Sequence, residues 1–414
     1  MPVGYPRPMT TETSLPADRP PLAERALSRR VREVPPSGIR RFFDILATMD
    51  DVISLGVGEP DFDTPADIVE AGVASLMRGR THYTSNYGTL ELRRALAAHL
   101  DGRYGVRYDP TTEILITVGA SEAVDLALRA TCDPGDEVVL HEPSYVSYVP
   151  AITFSGGVPV GVATRLADDF ALDPGAVEAA ITPRTKALFL GYPCNPTGAV
   201  LPDEVQDALA AIAARHDLLV YSDEIYDRLA YGTYRHRAFS SLPGMRERTI
   251  LMGGFSKAYA MTGWRLGFGI MEKQLAKHVA RLMTNSNSCT ATFVQKAGYA
   301  ALAGGQAEVH AMVEEFRVRR EVIVNGLNTL PGVTCFMPRG AFYAFPNITG
   351  TGIKSAELAK LMLEEAGVAC LSGTAFGAAG EGYLRFSYAN SAENIRVALG
   401  FMSEFLNTKT RQRV

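Results

Sequence analysis

Thr249-Ile250-Leu251-Met252-Gly253-Gly254-Phe255-Ser256-Lys257-Ala258-Tyr259-Ala260-Met261-Thr262-Gly263-Trp264-Arg265 sets a lysine between an apolar run and a second stretch almost as apolar. The run up to Met252 reads as a buried strand. A charged ammonium beside it faces heavy desolvation, relieved by pairing, by a shifted pKa, or by snorkelling to the surface. Lysine is scarce here, with eight in the whole chain, so arginine carries most of the positive charge. A desolvated lysine suits carbonyl chemistry, because only the neutral amine attacks an aldehyde to form a Schiff base.

Outward from this stretch, the chain alternates apolar runs with helical patterns. Strands are expected at 114–118, 137–140, 158–162, 187–190, 218–222, 249–252 and 266–270. Helices are expected at 65–78, 89–104, 121–131, 174–181, 202–215 and 272–283. Such alternation predicts an α/β fold with a mostly parallel sheet covered by helices on both faces. A short strand at 52–55 precedes this region. Beyond about residue 300 the pattern changes to a long helix over 307–327, short strands at 333–336 and 342–345, and a helix at 355–366. A strand at 383–387 and a final helix from Ala392 complete a smaller α+β unit. Residues 1 to about 28, rich in Pro, Thr and Arg without periodicity, are expected to form a disordered or loosely attached tail.

The 47% hydrophobic and 21% charged content place the chain among globular proteins able to bury a large core. A net charge of -4 argues against nucleic acid as the main partner. No run approaches the roughly 20 apolar residues that cross a bilayer, and the N-terminus has no signal-peptide pattern, so a cytoplasmic location is expected. Five scattered cysteines without a Cys-x-x-Cys pair read as reduced thiols, with no metal site.

Ligands of open parallel sheets bind beyond the carboxyl ends of the strands. The 114–118 strand is followed by Gly119-Ala120-Ser121, a helix start whose free N–H groups suit an anion. After 137–140 comes His141-Glu142-Pro143-Ser144-Tyr145, with an aromatic ring at the rim. The 187–190 strand leads into Tyr192-Pro193-Cys194-Asn195-Pro196-Thr197-Gly198, a proline-held loop presenting Asn195. Asp223 and Tyr226 follow the 218–222 strand, and Ser256, Lys257 and Arg265 follow 249–252. Each group alone has an ordinary explanation as a cap or turn. Gathered at one edge, they form the set needed to hold a phosphorylated aromatic aldehyde. No Gly-x-Gly-x-x-Gly follows the first strand, which disfavours a nicotinamide enzyme.

The chain resembles the pyridoxal-phosphate-dependent class I/II aminotransferases, in the branch of aspartate and aromatic aminotransferases. The resemblance rests on Gly-Glu-Pro-Asp-Phe-Asp-Thr-Pro (58–65), Tyr-Thr-Ser-Asn-Tyr-Gly (83–88), Asn-Pro-Thr-Gly (195–198) and Ser-Asp-Glu-Ile-Tyr (222–226). Ser-Lys with Met-Thr-Gly-Trp-Arg (256–265) and Leu-Arg-Phe-Ser (384–387) complete it. It covers the chain from about residue 30 to the end and implies fold type I of the pyridoxal-phosphate enzymes. The implied division is a tail at 1–28, a small-domain segment with a flap at 29–64, a large cofactor-binding domain at 65–305, and a small domain at 306–414.

Residue by residue, the resemblance makes Lys257 the Schiff-base lysine and proton shuttle. Asp223 becomes the partner of the ring nitrogen, and Tyr226 and Asn195 the donors to the ring's phenolic oxygen. Tyr145 stacks on the ring, while Gly119, Ala120, Ser121, Ser256 and Arg265 form the phosphate cup. Tyr83 reaches the phosphate from the other subunit of a homodimer. Arg385 takes the substrate α-carboxylate, with Gly58 nearby and Ile39 closing as a flap over the side chain. Gly254 stands where many relatives carry a Ser or Thr that donates to the phosphate. The expected reaction is ping-pong transfer between an L-amino acid (aspartate or aromatic) and 2-oxoglutarate. The alternatives are a carbon–sulfur lyase or decarboxylase on the same scaffold, or a non-catalytic cofactor-binding regulator. No residue stands out as a second arginine for a dicarboxylate, though Arg40, Arg41 and Arg80 are candidates.

Overall fold

The computed structural model describes residues 21–35, 49 and 52–413. The expected flap, with Ile39, Arg40 and Arg41, lies outside the described residues. Residues 21–35 belong to a unit of their own, carrying short helices at Leu22–Ala26 and Arg29–Glu33, neither with a buried residue. The first of these helices falls within the stretch expected to be a disordered or loosely attached tail, and it buries none of its residues.

In the larger unit, strands are numbered β1–β12 along the chain. The central sheet has seven strands: β2 (Ile114–Thr117), β3 (Glu137–Glu142), β4 (Val158–Ala163), β5 (Thr185–Gly191), β6 (Leu219–Asp223), β7 (Thr249–Gly254) and β8 (Gly267–Ile270). Their spatial order is β2-β8-β7-β6-β5-β3-β4. The pairs β3–β4, β3–β5, β5–β6 and β6–β7 are parallel, while β8 runs antiparallel to both β7 and β2. The inner strand β7 and even the edge strand β2 are buried nearly throughout, as expected for a sheet covered on both faces. Edge strand β4 is largely exposed.

The reversal at β8 positions the site. Because β7 and β8 are antiparallel, with Gly254 opposite Gly267, the 255–266 connection stays at the carboxyl edge of β7. Lys257 and Arg265 are thereby held where β2, β3, β5 and β6 also end.

Beyond this sheet, β1 (Ile53–Ser54) pairs in parallel with β10 (Val368–Ala369), and β9 (Tyr343–Ala344), β11 (Leu371–Ser372) and β12 (Leu384–Ser387) form a three-stranded antiparallel sheet. They share an apolar cluster with the long helix Ala307–Leu327 and the last helix, around Leu55, Phe316, Phe342 and Tyr388. Truncating a ring such as Phe316 to alanine there costs about 3–5 kcal/mol.

Three local expectations differ. Residues 333–336 make no strand beyond a single bridge from Thr334 to Asn347. The Asn328 side chain instead donates to the Cys335 carbonyl at 2.9 Å and accepts from its N–H at 2.8 Å, taking the groups a ladder would use. Helix Tyr148–Ser155 was unforeseen because Pro150 and β-branched neighbours disguise it; proline is tolerated in a first turn, where its N–H has no helical partner. Helix Thr292–Ala303 was also unforeseen; Gly298 lies where a Cβ would be 2.3 Å from Leu266 Cδ2, so the absent side chain permits the close packing.

Candidate active site

A cavity of about 890 Å³ opens at the carboxyl ends of the central strands. Its walls include Gly58, Ala120, Ser121, Tyr145, Asn195, Asp223, Tyr226, Ser256, Lys257, Arg265 and Arg385. These are most of the residues singled out from sequence. Gly119 lies just behind the wall, Tyr83 is 90% exposed and away from its own chain's cavity, and Arg80 is exposed at the surface.

The lysine loop is stitched to the 58–64 segment, two motifs about 200 residues apart. Lys257 Nζ donates to the Gly58 carbonyl at 2.6 Å, and the Thr262 hydroxyl donates to Glu59 at 3.0 Å. Thr64 donates to the Ala260 carbonyl at 2.7 Å and accepts from the Trp264 indole at 3.0 Å. Rings of Tyr226 and Phe342 lie 5.9 and 5.8 Å from Nζ. Burial pulls the ammonium down to about 8; Glu59 opposes this, while Arg385 and Arg265 add to it. Lys257 therefore does not snorkel; it points into the cavity, and its ammonium gives up its proton far more readily than an ordinary lysine does.

Arg265 adopts a left-handed φ of 53°, which costs about 1–2 kcal/mol for a residue with a Cβ. Its Nη1 donates to the Thr262 carbonyl at 3.0 Å. A Cβ on Gly119, itself at φ 76°, would stand 2.5 Å from Arg265 Nη2. A Cβ on Gly267 would lie 2.4 Å from the Ala120 nitrogen. Glycines at both places let the guanidinium and the start of helix Ala120–Thr131 close into one cationic cradle. Gly254 gains a physical reason here as well. A Cβ would fall 3.0 Å from the Leu266 carbonyl and 3.1 Å from Ile225 Cδ1, so β7 and β8 leave little room for a hydroxyl side chain.

Asp223, at the end of β6, is buried. Its carboxylate accepts from the Tyr148 hydroxyl at 2.8 Å and the Ile225 N–H at 3.2 Å. Burial pushes it up to about 6, against the pull of those two donors. Gly191 makes the Tyr148 contact possible, since a Cβ there would stand 2.6 Å from the phenol oxygen. Beneath this wall His141 is neutral. Its Nδ1 donates to the Pro143 carbonyl at 2.9 Å, its Nε2 accepts from the Gly191 N–H at 3.2 Å, and burial draws its pKa down to about 4.

On the opposite wall Arg385 is held by the Asn195 Oδ1 at 3.1 Å and the Gly56 carbonyl. Its guanidinium packs over Tyr343 and Phe376, with Cζ 4.6 and 5.0 Å from the ring centroids. Its Nε is buried with no partner among the described residues, while Nη1 and Nη2 each use one N–H in these bonds and keep a second for an incoming carboxylate. Sequence reading missed Tyr148, Tyr343, Thr262 and the role of Glu59. Tyr148 opens a helix three residues after the rim aromatic Tyr145, and that nearness in sequence was the usable signal for it. Tyr343 sits in an ordinary apolar strand and gave none.

Known proteins share this sequence and fold along nearly the whole chain. Residues 50–401 match the family described as aminotransferase class I and II. The aspartate aminotransferase of Pyrococcus abyssi is 43% identical over 93% of this chain and 99% of its own length. Aromatic-amino-acid aminotransferase 2 of Thermococcus litoralis is 42% identical over the same shares. The solved aspartate aminotransferase of Thermus thermophilus with maleate superposes with a TM-score of 0.87 at 39% identity, over 92% of this chain and 99% of that one. A carboxyl-edge cavity built on a desolvated lysine, with this similarity along nearly the whole chain, makes the protein a member of the class I and II aminotransferases and an enzyme of amino-group transfer.

Proposed function

We propose that the protein binds pyridoxal 5'-phosphate at Lys257 and transfers an amino group between aspartate or an aromatic amino acid and 2-oxoglutarate. The observation that carries this reading is the meeting of Lys257, Asp223, Arg265 and Arg385 on one cavity. The donor set fits the cofactor. The glycine-lined cradle of Arg265 and residues 119–121 suits a phosphate, and Ser256 is close by on the same wall. Asp223 suits the ring nitrogen, Tyr226 and Asn195 the phenolic oxygen, and Tyr145 the ring face. When bound, the cofactor supplies an aldehyde that accepts the amino group and a ring that delocalises the electron pair left at the substrate Cα.

The chain's own groups do the rest. Arg385, whose Nη1 and Nη2 each keep a second N–H, grips the α-carboxylate and fixes the orientation of the substrate. Lys257 Nζ, its pKa drawn down by burial, takes and returns the proton at Cα. Asp223 holds its charge against the ring nitrogen through the Tyr148 hydrogen bond. Relatives named for aspartate and for aromatic amino acids support a site open to both side chains. In this reading residues 306–414 belong to the small domain and 65–305 make the large one. The active unit is a homodimer in which the exposed Tyr83 reaches the partner's phosphate, and Ile39 closes over the substrate. A cytoplasmic location is supported by five unpaired cysteines, with no helix among the described residues long and apolar enough to cross a membrane. Borohydride reduction of the loaded enzyme followed by peptide mapping tests the assignment. The cofactor is expected on Lys257, and label on another residue contradicts it.

A further inference from the structure

Tyr343 touches three parts of the site at once. It is fully buried on β9 and faces Ser387 of β12 in the antiparallel register. Arg385 lies two residues before Ser387 on the same strand face, so its guanidinium rests on the Tyr343 ring at 4.6 Å. The Tyr343 hydroxyl is 2.7 Å from the Tyr226 hydroxyl. A Cβ on Gly58 would stand 2.8 Å from the same oxygen, so only a glycine lets that loop cross the phenol. The Gly58 carbonyl in turn receives Lys257 Nζ at 2.6 Å.

Two phenols at this distance share one proton along their line: one donates and the other accepts. Burial raises both, Tyr343 up to about 12 and Tyr226 well above its ordinary value, so both keep their protons at neutral pH. We infer that Tyr343 is a positioning residue that donates to the Tyr226 oxygen and so turns the Tyr226 proton towards the cavity, while its ring seats Arg385. This rests on the proposal that Tyr226 donates to the cofactor's phenolic oxygen. A hydroxyl that accepts one hydrogen bond becomes a stronger donor of the next. One side chain thus sets both the carboxylate-binding arginine and the strength of the cofactor-facing phenol.

The test titrates the visible absorbance of the loaded enzyme, without substrate, in wild type, Tyr343→Phe, Tyr226→Phe and the double variant. Donation to the phenolic oxygen favours the deprotonated chromophore, so a weakened donor raises the pH midpoint. Tyr343→Phe keeps the ring under Arg385 and removes only the hydroxyl; its midpoint is expected to rise by roughly half a unit to one unit. Tyr226→Phe raises it further, and the double variant matches Tyr226→Phe alone, because Tyr343 acts through Tyr226. An unchanged midpoint in Tyr343→Phe, or an added step in the double variant, would overturn the inference. A wild-type enzyme without a titrating visible band would overturn the cofactor assignment itself, a different failure.

Discussion

The Tyr148 hydroxyl donates to Asp223 across 2.8 Å of buried space, and among the described residues it is the one side-chain donor the carboxylate has. Burial pushes Asp223 up to about 6, so the pair decides how much of its charge survives at neutral pH. Tyr148→Phe moves the carboxyl further up, shifts the acid limb of the rate profile to higher pH, and lowers kcat/KM by about 10- to 100-fold, the worth of one hydrogen bond to a charged group. Asp223→Ala loses roughly 10³-fold. Steady-state rates across pH 5 to 9 check both (about the range in which these groups titrate). A Tyr148→Phe profile that overlays wild type refutes the role.

Arg385 should act on every substrate alike, because the α-carboxylate is common to all. Lysine in its place keeps the charge but loses the planar fork over Tyr343 and the reach to Asn195. Arg385→Lys is expected to raise KM about tenfold or more for each amino acid tested, and to lower kcat. A change confined to one substrate would place the carboxylate elsewhere.

His141 makes a pH prediction of definite sign. Its folded pKa, about 4, lies below the ordinary value of 6.5, so the unfolded chain binds more protons between these limits. Its contribution to stability is complete above pH 6.5 and is lost as pH falls towards 4, by a few kcal/mol in all. Asp223, with its raised pKa, pulls the opposite way over much of this window, but it is common to wild type and His141→Gln and cancels in their difference. The gap in Tm between the two proteins should therefore shrink on acidification from pH 7 to pH 4.5. A constant gap means that His141 is not held neutral.

Tyr83 tests the shared site. If it serves the partner's phosphate, a hybrid of Lys257→Ala with Tyr83→Phe carries both lesions in one site and neither in the other. Mixing and re-equilibrating the two proteins should give activity above either parent. A mixture no more active than its parents, or a fully active monomer in sedimentation, contradicts the arrangement.

How far the sequence foretold this differs by element. Buried strands such as β2, β5 and β7 were legible because a sheet covered on both faces demands unbroken apolar runs, and polar residues mark where each run stops. The reversed direction of β8 was not legible, since an apolar run carries no sense of direction. The cavity wall was foreseen where a charged or amide group ends a strand, as at Asp223, Asn195 and Lys257. It was missed where the contributing group looks like core: Tyr343 is one apolar residue among several in 341–345, and only pairing with β12 brings it under Arg385. The crowding around Gly254 arises from the β7–β8 pairing and was equally invisible beforehand.

The central claim is that an amino group passes from substrate to the enzyme and stays there until an oxo acid collects it. The most direct measurement mixes the loaded enzyme with glutamate alone, then with aspartate and phenylalanine alone, and counts the products per subunit. The account predicts one equivalent of oxo acid from glutamate and from at least one of the other two, a matching loss of the visible band, no free ammonia, and recovery of the band on adding 2-oxoglutarate. Continuous release of ammonia, sulfide or carbon dioxide, with the band unchanged, would contradict it.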